Sequence, residues 1–336
     1  MRVLVKGAGV AGLAVAHELA ERGAEVTVVE RHSAVGGGAS WLAGGMLAPY
    51  CERESTEEDV IRLGLRAAGW WEAALPGLVR VNGTLVVAPP RDTAELRRFA
   101  ARTRGYRQLS TDAIGALEPD LGGRFQTGLF FEQEAHLDPH CALSRLYEKL
   151  AETGVRFLFG RTGALPGERF DRVVDCTGFA AAPALPGLRG VRGEMLRLET
   201  RDVRLSRPVR LVHPRFPVYV VPRGEGCFMV GATMIESADD GPVTARSMME
   251  LLNAAYALHP AFGEARVIEM VAGVRPAFAD NLPKVVEQDD IIFVNGFYRH
   301  GFLMAPALAR QAAELVLDNQ AVKGESDEGH RQRATA

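Results

Sequence analysis

The sequence predicts an α/β protein with a Rossmann-like domain and a second, β-rich α+β domain. Its 336 residues exceed the size at which one hydrophobic core usually stops growing. The first thirty residues follow the order strand, glycine turn, helix, strand, which is typical of a parallel sheet. A strand-rich stretch from about residue 191 to 230 lies between two α/β segments. We therefore expect both domains to be discontinuous in sequence.

The opening unit is the clearest element. Residues 2–5 form a short apolar strand, residues 7–12 a glycine-rich turn, residues 13–22 a helix that ends at Gly23, and residues 24–30 a second apolar strand. Further along, helices are predicted over 56–72, 92–104, 243–257 and 306–317, and Asp138-Pro139 has the composition of a helix N-cap and first turn. Strands are predicted over 80–89, 155–159, 172–176 and 291–294.

This alternation predicts which segments form each domain. Residues 1–79, 136–187 and 269–322 are assigned to the Rossmann-like domain, and residues 80–135 and 188–268 to the β-rich domain. Residues 323–336 are polar, which predicts a disordered tail.

The composition excludes several classes of partner. The net charge is −3, from 39 basic and 42 acidic residues, and gives no case for nucleic acid or an anionic membrane. No apolar run is long enough to cross a bilayer, so no integral membrane association is expected. The four cysteines fit no zinc spacing. We therefore expect no metal site, reduced thiols and a cytoplasmic location.

The first turn carries the GxGxxG fingerprint of dinucleotide-binding proteins, in the required position between a strand and a helix. Gly7 permits the tight turn, Gly9 lets the backbone approach a pyrophosphate, and Gly12 lets the helix pack against the sheet. The helix N-terminus then offers free N–H groups to the phosphates. Glu30, at the end of the second strand, is placed to accept ribose hydroxyl groups.

NAD and FAD share this fingerprint, and three further features favour FAD. Arg31 and the run from Gly37 to Ser40 offer donors near the pyrophosphate, and Cys176-Thr177-Gly178 ends a second apolar strand. Asn295-Gly296-Phe297 ends another strand near the C-terminus, where flavoproteins return to the cofactor. No second GxGxxG is present for NAD(P)H, which implies a different electron donor.

Five segments together resemble the D-amino-acid oxidase family, and within it the glycine oxidases of thiamin biosynthesis. They are KGAGVAGLAVAHELAERGAEVTVVE, AGGMLAPYCERE, YVVPRGEGCFMVGATM, AGVRPAFADNLP and NGFYRHGFLMAPA, and the likeness spans about residues 1–320. The resemblance implies non-covalent FAD, a two-domain fold, oxygen as electron acceptor and a homo-oligomer, which in this family is often a tetramer. It implies oxidation of a small amino acid, with glycine the first choice, to glyoxylate, ammonia and hydrogen peroxide.

The resemblance also assigns roles to individual residues. Arg275 matches the arginine that binds the substrate carboxylate, Tyr219 a tyrosine that helps to hold it, Met234 an apolar pocket residue, and Arg299 a second active-site arginine. With the fingerprint, it gives the following cofactor-binding residues: Gly7, Gly9, Val10, Ala11, Gly12, Glu30, Arg31, Ser40, Gly44, Gly45, Met46, Thr177, Gly178, Gly296, Arg299, His300, Gly301, Phe302 and Leu303.

The chemistry explains this set of residues. A flavin removes a hydride equivalent from Cα, and the protein supplies orientation and electrostatics. An arginine fork fixes the carboxylate through two charge-assisted hydrogen bonds, and a neutral amine needs no strong general base. The chain departs from the family at Lys6, at Pro217 and in a shortened stretch from 160 to 171.

Other functions remain open from the sequence. The chain could be another amine-oxidising flavoenzyme, such as a D-amino-acid dehydrogenase or a sarcosine oxidase. It could also be a flavin-binding component that acts only inside a biosynthetic assembly.

Overall fold

The computed structural model describes residues 1–53, 58–213 and 217–333, with side chains described up to residue 318. Within these residues the strands are β1 (Arg2–Lys6), β2 (Glu25–Glu30), β3 (Met46–Leu47), β4 (Thr84–Val87), β5 (Arg107–Ser110), β6 (Thr127–Phe131), β7 (Ala135–His136), β8 (Arg156–Phe159), β9 (Arg172–Asp175), β10 (Arg189–Glu199), β11 (Val209–Leu211), β12 (Val218–Pro222), β13 (Cys227–Gly231), β14 (Arg266–Ala277), β15 (Lys284–Gln288) and β16 (Ile291–Asn295).

The helices are α1 (Val10–Glu21), α2 (Pro49–Glu52), α3 (Glu58–Gly64), α4 (Ala67–Ala74), α5 (Thr93–Arg102), α6 (Thr111–Leu117), α7 (Pro139–Glu152), α8 (Ala245–Leu258) and α9 (Gly301–Arg333). The predicted cap of α7 is confirmed, because the Asp138 carboxylate accepts hydrogen bonds from His140 N at 2.8 Å and Cys141 N at 3.3 Å. The helix predicted over 56–72 is instead two helices, α3 and α4, and its first residues lie outside the described ones.

The Rossmann-like part is a six-stranded sheet in the order β15-β16-β9-β1-β2-β8. All neighbours are parallel except β15, which pairs antiparallel with β16 at the edge. Helix α1 packs on this sheet and against α7 and α9, and it is apolar on nearly every face. The predicted parallel sheet is confirmed, and its strands come from the start, the middle and the end of the chain.

The second part is an eight-stranded sheet in the order β14-β10-β13-β12-β11-β4-β6-β5, in which only β11 and β4 run parallel. The strand β14 pairs with β10 as far as Ala277. By sheet membership, the domain boundary predicted at residue 269 therefore moves to the end of β14. The twelve residues of β14 were not predicted as a strand, because glycine and proline break their apolar pattern. β14 is a strand because it pairs with β10, and this pairing joins residues that are far apart in the sequence.

Helix α9 begins at Gly301, five residues before the predicted start at Pro306. A proline cannot donate to the carbonyl four residues earlier, which here belongs to Phe302. Trp71 Nε1 donates to that carbonyl at 2.9 Å and compensates for the missing bond. The tryptophan side chain is fully buried. Proline is thus accommodated inside the helix by a residue more than 200 positions away in sequence.

The prediction of a disordered tail from residue 323 differs from the structure, in which α9 continues to Arg333. Extending an existing helix needs no new nucleation. Residues 334–336 lie outside the described part of the chain. No helix among the described residues has the length and apolar character needed to cross a membrane.

Candidate active site

The glycine turn after β1 leaves no space for side chains at two of its three fingerprint positions. Gly7 has a φ of +95°, and a Cβ there would lie 2.7 Å from the carbonyl oxygen of Cys176. A Cβ at Gly12 would lie 1.8 Å from the carbonyl oxygen of Gly7. At Gly9 the nearest atom is Ser40 Oγ at 3.1 Å, and that hydroxyl also accepts from Val10 N at 3.1 Å. The structure thus brings Ser40 to the N-terminus of α1, where Ala11 lies in the first turn.

Glu30 lies at the end of β2, next to this turn. Its carboxylate accepts from Ala8 N at 2.7 Å and from His32 N at 2.9 Å. These hydrogen bonds fix the carboxylate beside the fingerprint, as its predicted role requires. Arg31 is exposed, and its Nε lies 3.1 Å from the Nε2 atom of His32, which in turn lies 4.0 Å from the Glu30 carboxylate.

Thr177 and Gly178 follow β9 at the same edge of the sheet. Asp175 accepts from Thr177 N at 3.0 Å and from Thr177 Oγ1 at 2.6 Å. Lys6, one of the departures from the family pattern, forms an ion pair with Asp175 at 2.7 Å. The carbonyl of Gly178 accepts from Asn295 Nδ2 at 2.8 Å. Side chains from three strand ends therefore hold this turn in place.

The segment from Gly296 to Leu303 leads from β16 into α9. Gly296 has a φ of +83°, and a Cβ there would lie 2.3 Å from the ring of Phe278. Gly301 lies against Val10, so the N-termini of α1 and α9 meet beside the fingerprint. Two helix N-termini make this edge attractive to anions. Phe302 and Leu303 are buried in the core, so only their backbone remains available to a cofactor.

The loop Gly44–Met46 connects the two sheets. A Cβ at Gly44 would lie 2.7 Å from the ring of Tyr219, and Gly45 has a φ of +65°. Arg223, which the sequence did not single out, donates to the carbonyl of Gly44 at 2.8 Å and to that of Leu137 at 3.1 Å. The motif YVVPR thus supplies both the tyrosine that contacts this loop and the arginine that anchors it.

Arg275 lies on β14 with its guanidinium flat against β10. A Cβ at Gly193 would lie 2.1 Å from Nη2, 2.2 Å from Cζ and 2.4 Å from Nη1 of that arginine. Nη1 donates to the carbonyl of Thr233 at 3.0 Å. Among the described residues no carboxylate pairs with Arg275. Burial lowers the pKa of its guanidinium, but the ordinary value is high enough to keep the charge at neutral pH.

Tyr219, Tyr298 and Arg299 surround Arg275 closely enough to affect its pKa. Burial raises the pKa of the Tyr219 hydroxyl, so this residue is a neutral hydrogen-bond donor at physiological pH. The sulfur of Met234 lies 3.2 Å from Tyr298 Oη and 3.6 Å from Arg299 Nη1. The four residues assigned to the substrate by resemblance are therefore brought together, with Tyr298 as an addition.

Glu52, at the end of α2, is a further addition. Its carboxylate lies 2.8 Å from Arg299 Nη2 and 3.5 Å from the Nδ1 atom of His300. Burial alone would raise the pKa of Glu52, but the charges of Arg299, His300 and Arg210 outweigh it and lower that pKa to about 2. Arg299 is thus held by an internal anion, whereas Arg275 is not. The segment APYCERE contains Glu52, but only the tertiary structure places it opposite Arg299.

His300 is almost completely buried, and its backbone N–H donates to the carbonyl of Phe297 at 2.8 Å. Burial lowers the pKa of its ring to about 4, against the opposing effect of Glu52. The ring is therefore neutral at physiological pH. The structure places it on the Glu52 side of the cluster.

The fold and the site define the class: a two-domain, dinucleotide-binding enzyme with a cluster of cationic and aromatic side chains around Arg275. The family model DAO, FAD dependent oxidoreductase, matches residues 2–315. The chain belongs to this family, and FAD is its cofactor. The fingerprint, the two helix N-termini and Glu30 fit that dinucleotide.

Individual relatives agree with this assignment. The chain is 62% identical over 320 residues to a protein of Rhizobium etli that carries the provisional name thiamine biosynthesis oxidoreductase ThiO; the match covers 95% of this chain and 98% of that protein. It is 26% identical to glycine oxidase of Bacillus licheniformis, over 94% of this chain and 93% of the relative. The crystal structure of glycine oxidase from Geobacillus kaustophilus superposes with a TM-score of 0.78 at 24% identity, covering 94% of each chain.

Proposed function

We propose that the chain oxidises glycine to glyoxylate and ammonia, with oxygen reduced to hydrogen peroxide, and that it serves thiamin thiazole synthesis. The names of its relatives, thiamine biosynthesis oxidoreductase and glycine oxidase, support this substrate and this pathway. The observation that carries the proposal is Arg275, a partly buried guanidinium without a carboxylate partner among the described residues.

A buried cation without an anion is costly, which indicates that the anion is supplied by a ligand. In this proposal the substrate carboxylate takes that place, and the guanidinium fork binds it through two parallel hydrogen bonds. Tyr219 donates a further hydrogen bond to the same carboxylate. Arg299 does not compete for it, because Glu52 already holds this second guanidinium.

The remaining residues orient and enclose the substrate. Met234 forms an apolar wall. Arg223 fixes the loop Gly44–Met46, which is expected to contact the cofactor and which lies against the ring of Tyr219. FAD supplies the redox chemistry by accepting two electrons from the substrate and passing them to oxygen. The protein supplies orientation, and none of the cluster residues is required as a strong base.

We propose the same cofactor-binding residues as those expected from the sequence, with two refinements. His300 faces Glu52. Phe302 and Leu303 can act only through their backbone.

The deciding experiment is Arg275→Ala in the purified FAD-bound enzyme. Loss of one partner of a buried charge pair costs about 3–5 kcal/mol, or roughly two to three decades in substrate affinity. We expect bound FAD, measured by its absorbance, to remain. Arg266→Ala is the matched control, because this arginine lies on the same strand with its side chain 86% exposed. A change of only a few-fold in the substrate affinity of Arg275→Ala would show that this residue does not bind the substrate.

A peroxide assay with glycine, sarcosine and D-alanine tests the substrate. Bleaching of the flavin without peroxide would indicate a dehydrogenase that uses another acceptor. Flavin that stays with the acid-precipitated protein would indicate a covalent link of the sarcosine oxidase type. Unchanged absorbance with every small amino acid under anaerobic conditions would favour a binding role.

We also propose a cytoplasmic homo-oligomer, with the tetramer as the expected form. All four cysteines are free thiols, which is typical of a reducing compartment. Strand β14 is a long sheet edge on which Val267, Ile268 and Met270 are 43%, 48% and 50% exposed. Such edges are usually covered. Sedimentation velocity of the purified enzyme tests the subunit number.

A further inference from the structure

We propose that Met234 is a modification site, at which hydrogen peroxide converts the thioether to a sulfoxide and thereby lowers activity. The proposal rests on the proposed function for its oxidant, because peroxide would be produced beside this residue. Its evidence is the position of the Met234 side chain, which is exposed to solvent and whose sulfur has two hydrogen-bond donors, Tyr298 and Arg299.

Met234 is 47% exposed, although it belongs to the cluster around Arg275. Three other methionines of the two sheets and α9, Met195, Met229 and Met304, are at most 4% exposed. Oxidation of a methionine requires contact between its sulfur and the oxidant, so these three are protected by burial. Met234 is thus accessible within the region where the reaction takes place.

Met249 is also accessible, at 57% exposure. Within the described residues, however, its sulfur has no hydrogen-bond donor, whereas Met234 has Tyr298 Oη at 3.2 Å and Arg299 Nη1 at 3.6 Å. Met249 therefore serves as the internal reference, an exposed methionine on α8 and outside the cluster around Arg275.

The donors matter because of how the oxygen atom is transferred. The sulfur attacks one peroxide oxygen, the S–O bond forms, and the O–O bond breaks. The sulfur loses two electrons, and the second oxygen leaves as water after receiving a proton, so thioether and peroxide give sulfoxide and water. Tyr298 and Arg299 can hydrogen-bond the departing oxygen, where negative charge develops. A thioether is a weak acceptor, so these donors are easily redirected from sulfur to peroxide.

The modification would change the pocket wall in two ways. The sulfoxide is polar and chiral, whereas the thioether is a flexible apolar group. Its oxygen is also a stronger acceptor, and Tyr298 and Arg299 lie within reach. Arg299 is bound to Glu52 as well. A hydrogen bond from Arg299 to the sulfoxide oxygen would therefore hold the oxidised side chain against a guanidinium that is itself fixed in place. We expect the specific activity to fall about tenfold, the effect of one hydrogen-bond-sized change in free energy.

The experiment treats the FAD-bound enzyme with hydrogen peroxide in the absence of substrate. Peptide mass spectrometry follows the sulfoxide at each methionine, flavin absorbance checks that FAD remains bound, and activity is measured after the peroxide is removed. We expect Met234 to be oxidised at least several-fold faster than Met249, in parallel with the loss of activity. Methionine sulfoxide reductases should restore that activity.

Variants distinguish the effect of oxidation at Met234 from the effect of oxidation elsewhere in the protein. The activity of each variant after treatment is compared with the activity of the same variant before treatment. Met234→Leu should keep its activity under peroxide, whereas Met249→Leu should lose activity as the wild type does. Tyr298→Phe should slow the oxidation of Met234, because one donor is removed. Equal oxidation rates at Met234 and Met249, or equal inactivation of Met234→Leu and the wild type, would overturn the proposal.

The added peroxide makes this test independent of turnover. If glycine yields no peroxide, the proposed function fails while the reactivity of Met234 is still measured. A second arm supplies glycine and air in the presence of catalase. Oxidation of Met234 that persists under catalase, while Met249 is protected, would show that the oxidant is produced inside the site.

Discussion

Gly193→Ala is the change that tests the geometry of the site most directly. Gly193 has no positive φ, so alanine can adopt its backbone conformation, and the added methyl group acts only on its neighbours. The nearest neighbour is the guanidinium of Arg275, with Nη2 at 2.1 Å from the new Cβ. Ordinary contact begins at 3.4 Å, so this nitrogen must move by about 1.3 Å.

A displacement of about 1 Å in a group that positions substrate can lower the rate on the order of 10²-fold. We therefore expect the kcat/KM of Gly193→Ala for glycine to fall about a hundredfold. Most of the change should lie in KM, because the guanidinium binds the carboxylate in the ground state. Acetate, which offers a carboxylate without an amine, should also perturb the flavin absorbance only at much higher concentrations.

The fold should tolerate this substitution, since alanine in a strand interior is favoured over glycine by roughly 0.5–1 kcal/mol. Flavin content and urea unfolding verify this point. Gly69→Ala is the control, because a methyl group there meets no atom within 4 Å.

The double variant with Arg275→Ala gives the sharpest test. If the methyl group acts only through the guanidinium, Gly193→Ala should cause no further loss when Arg275 is already absent. A further large loss in the double variant would refute this reasoning. So would kcat/KM values for Gly193→Ala within threefold of the wild type.

Two more predictions concern buried charges away from the substrate. Burial raises the pKa of the Glu134 carboxyl to about 7, although the N–H of Cys51 donates to it. Its contribution to the stability of the fold is fully present below the ordinary pKa of 4.5 and is lost as the pH rises through 7. The free energy of unfolding of Glu134→Gln relative to the wild type, measured with urea, should therefore rise by up to about 3 kcal/mol between pH 5 and pH 8.5. A difference that does not change with pH would contradict the assignment. Lys6→Met should destabilise the fold by up to about 3 kcal/mol, because Asp175 stays buried. Lys6→Met/Asp175→Asn should recover part of that loss, and an unchanged Lys6→Met would show that the pair contributes nothing.

The nucleotide edge could be predicted from the sequence because its constraints are local. The spacing of Gly7, Gly9 and Gly12 is recognisable within one turn, even though Gly7 and Gly9 meet Cys176 and Ser40. The structure confirms the predicted helix, which begins at Val10 rather than at Leu13. Glu30 could be predicted for the same reason, since it ends the strand next to that turn. In these places a few consecutive residues fix the backbone, and the side-chain requirement follows directly.

The substrate cluster depended on tertiary structure. The resemblance indicated Arg275, Tyr219 and Arg299, but nothing local shows that Glu52 binds one arginine and leaves the other for a ligand. Gly193 is an ordinary strand glycine in sequence. Its function comes only from the pairing of β10 with β14, which seats the guanidinium over it.

The sequence alone thus determined the cofactor class and the parallel sheet, because backbone conformation and strand–turn–helix order are encoded over short distances. The tertiary structure decided which charges are paired, that the Met234 side chain is exposed, and that β14 lies in the eight-stranded sheet. These properties depend on burial and on contacts between residues far apart in the chain, which no local pattern records.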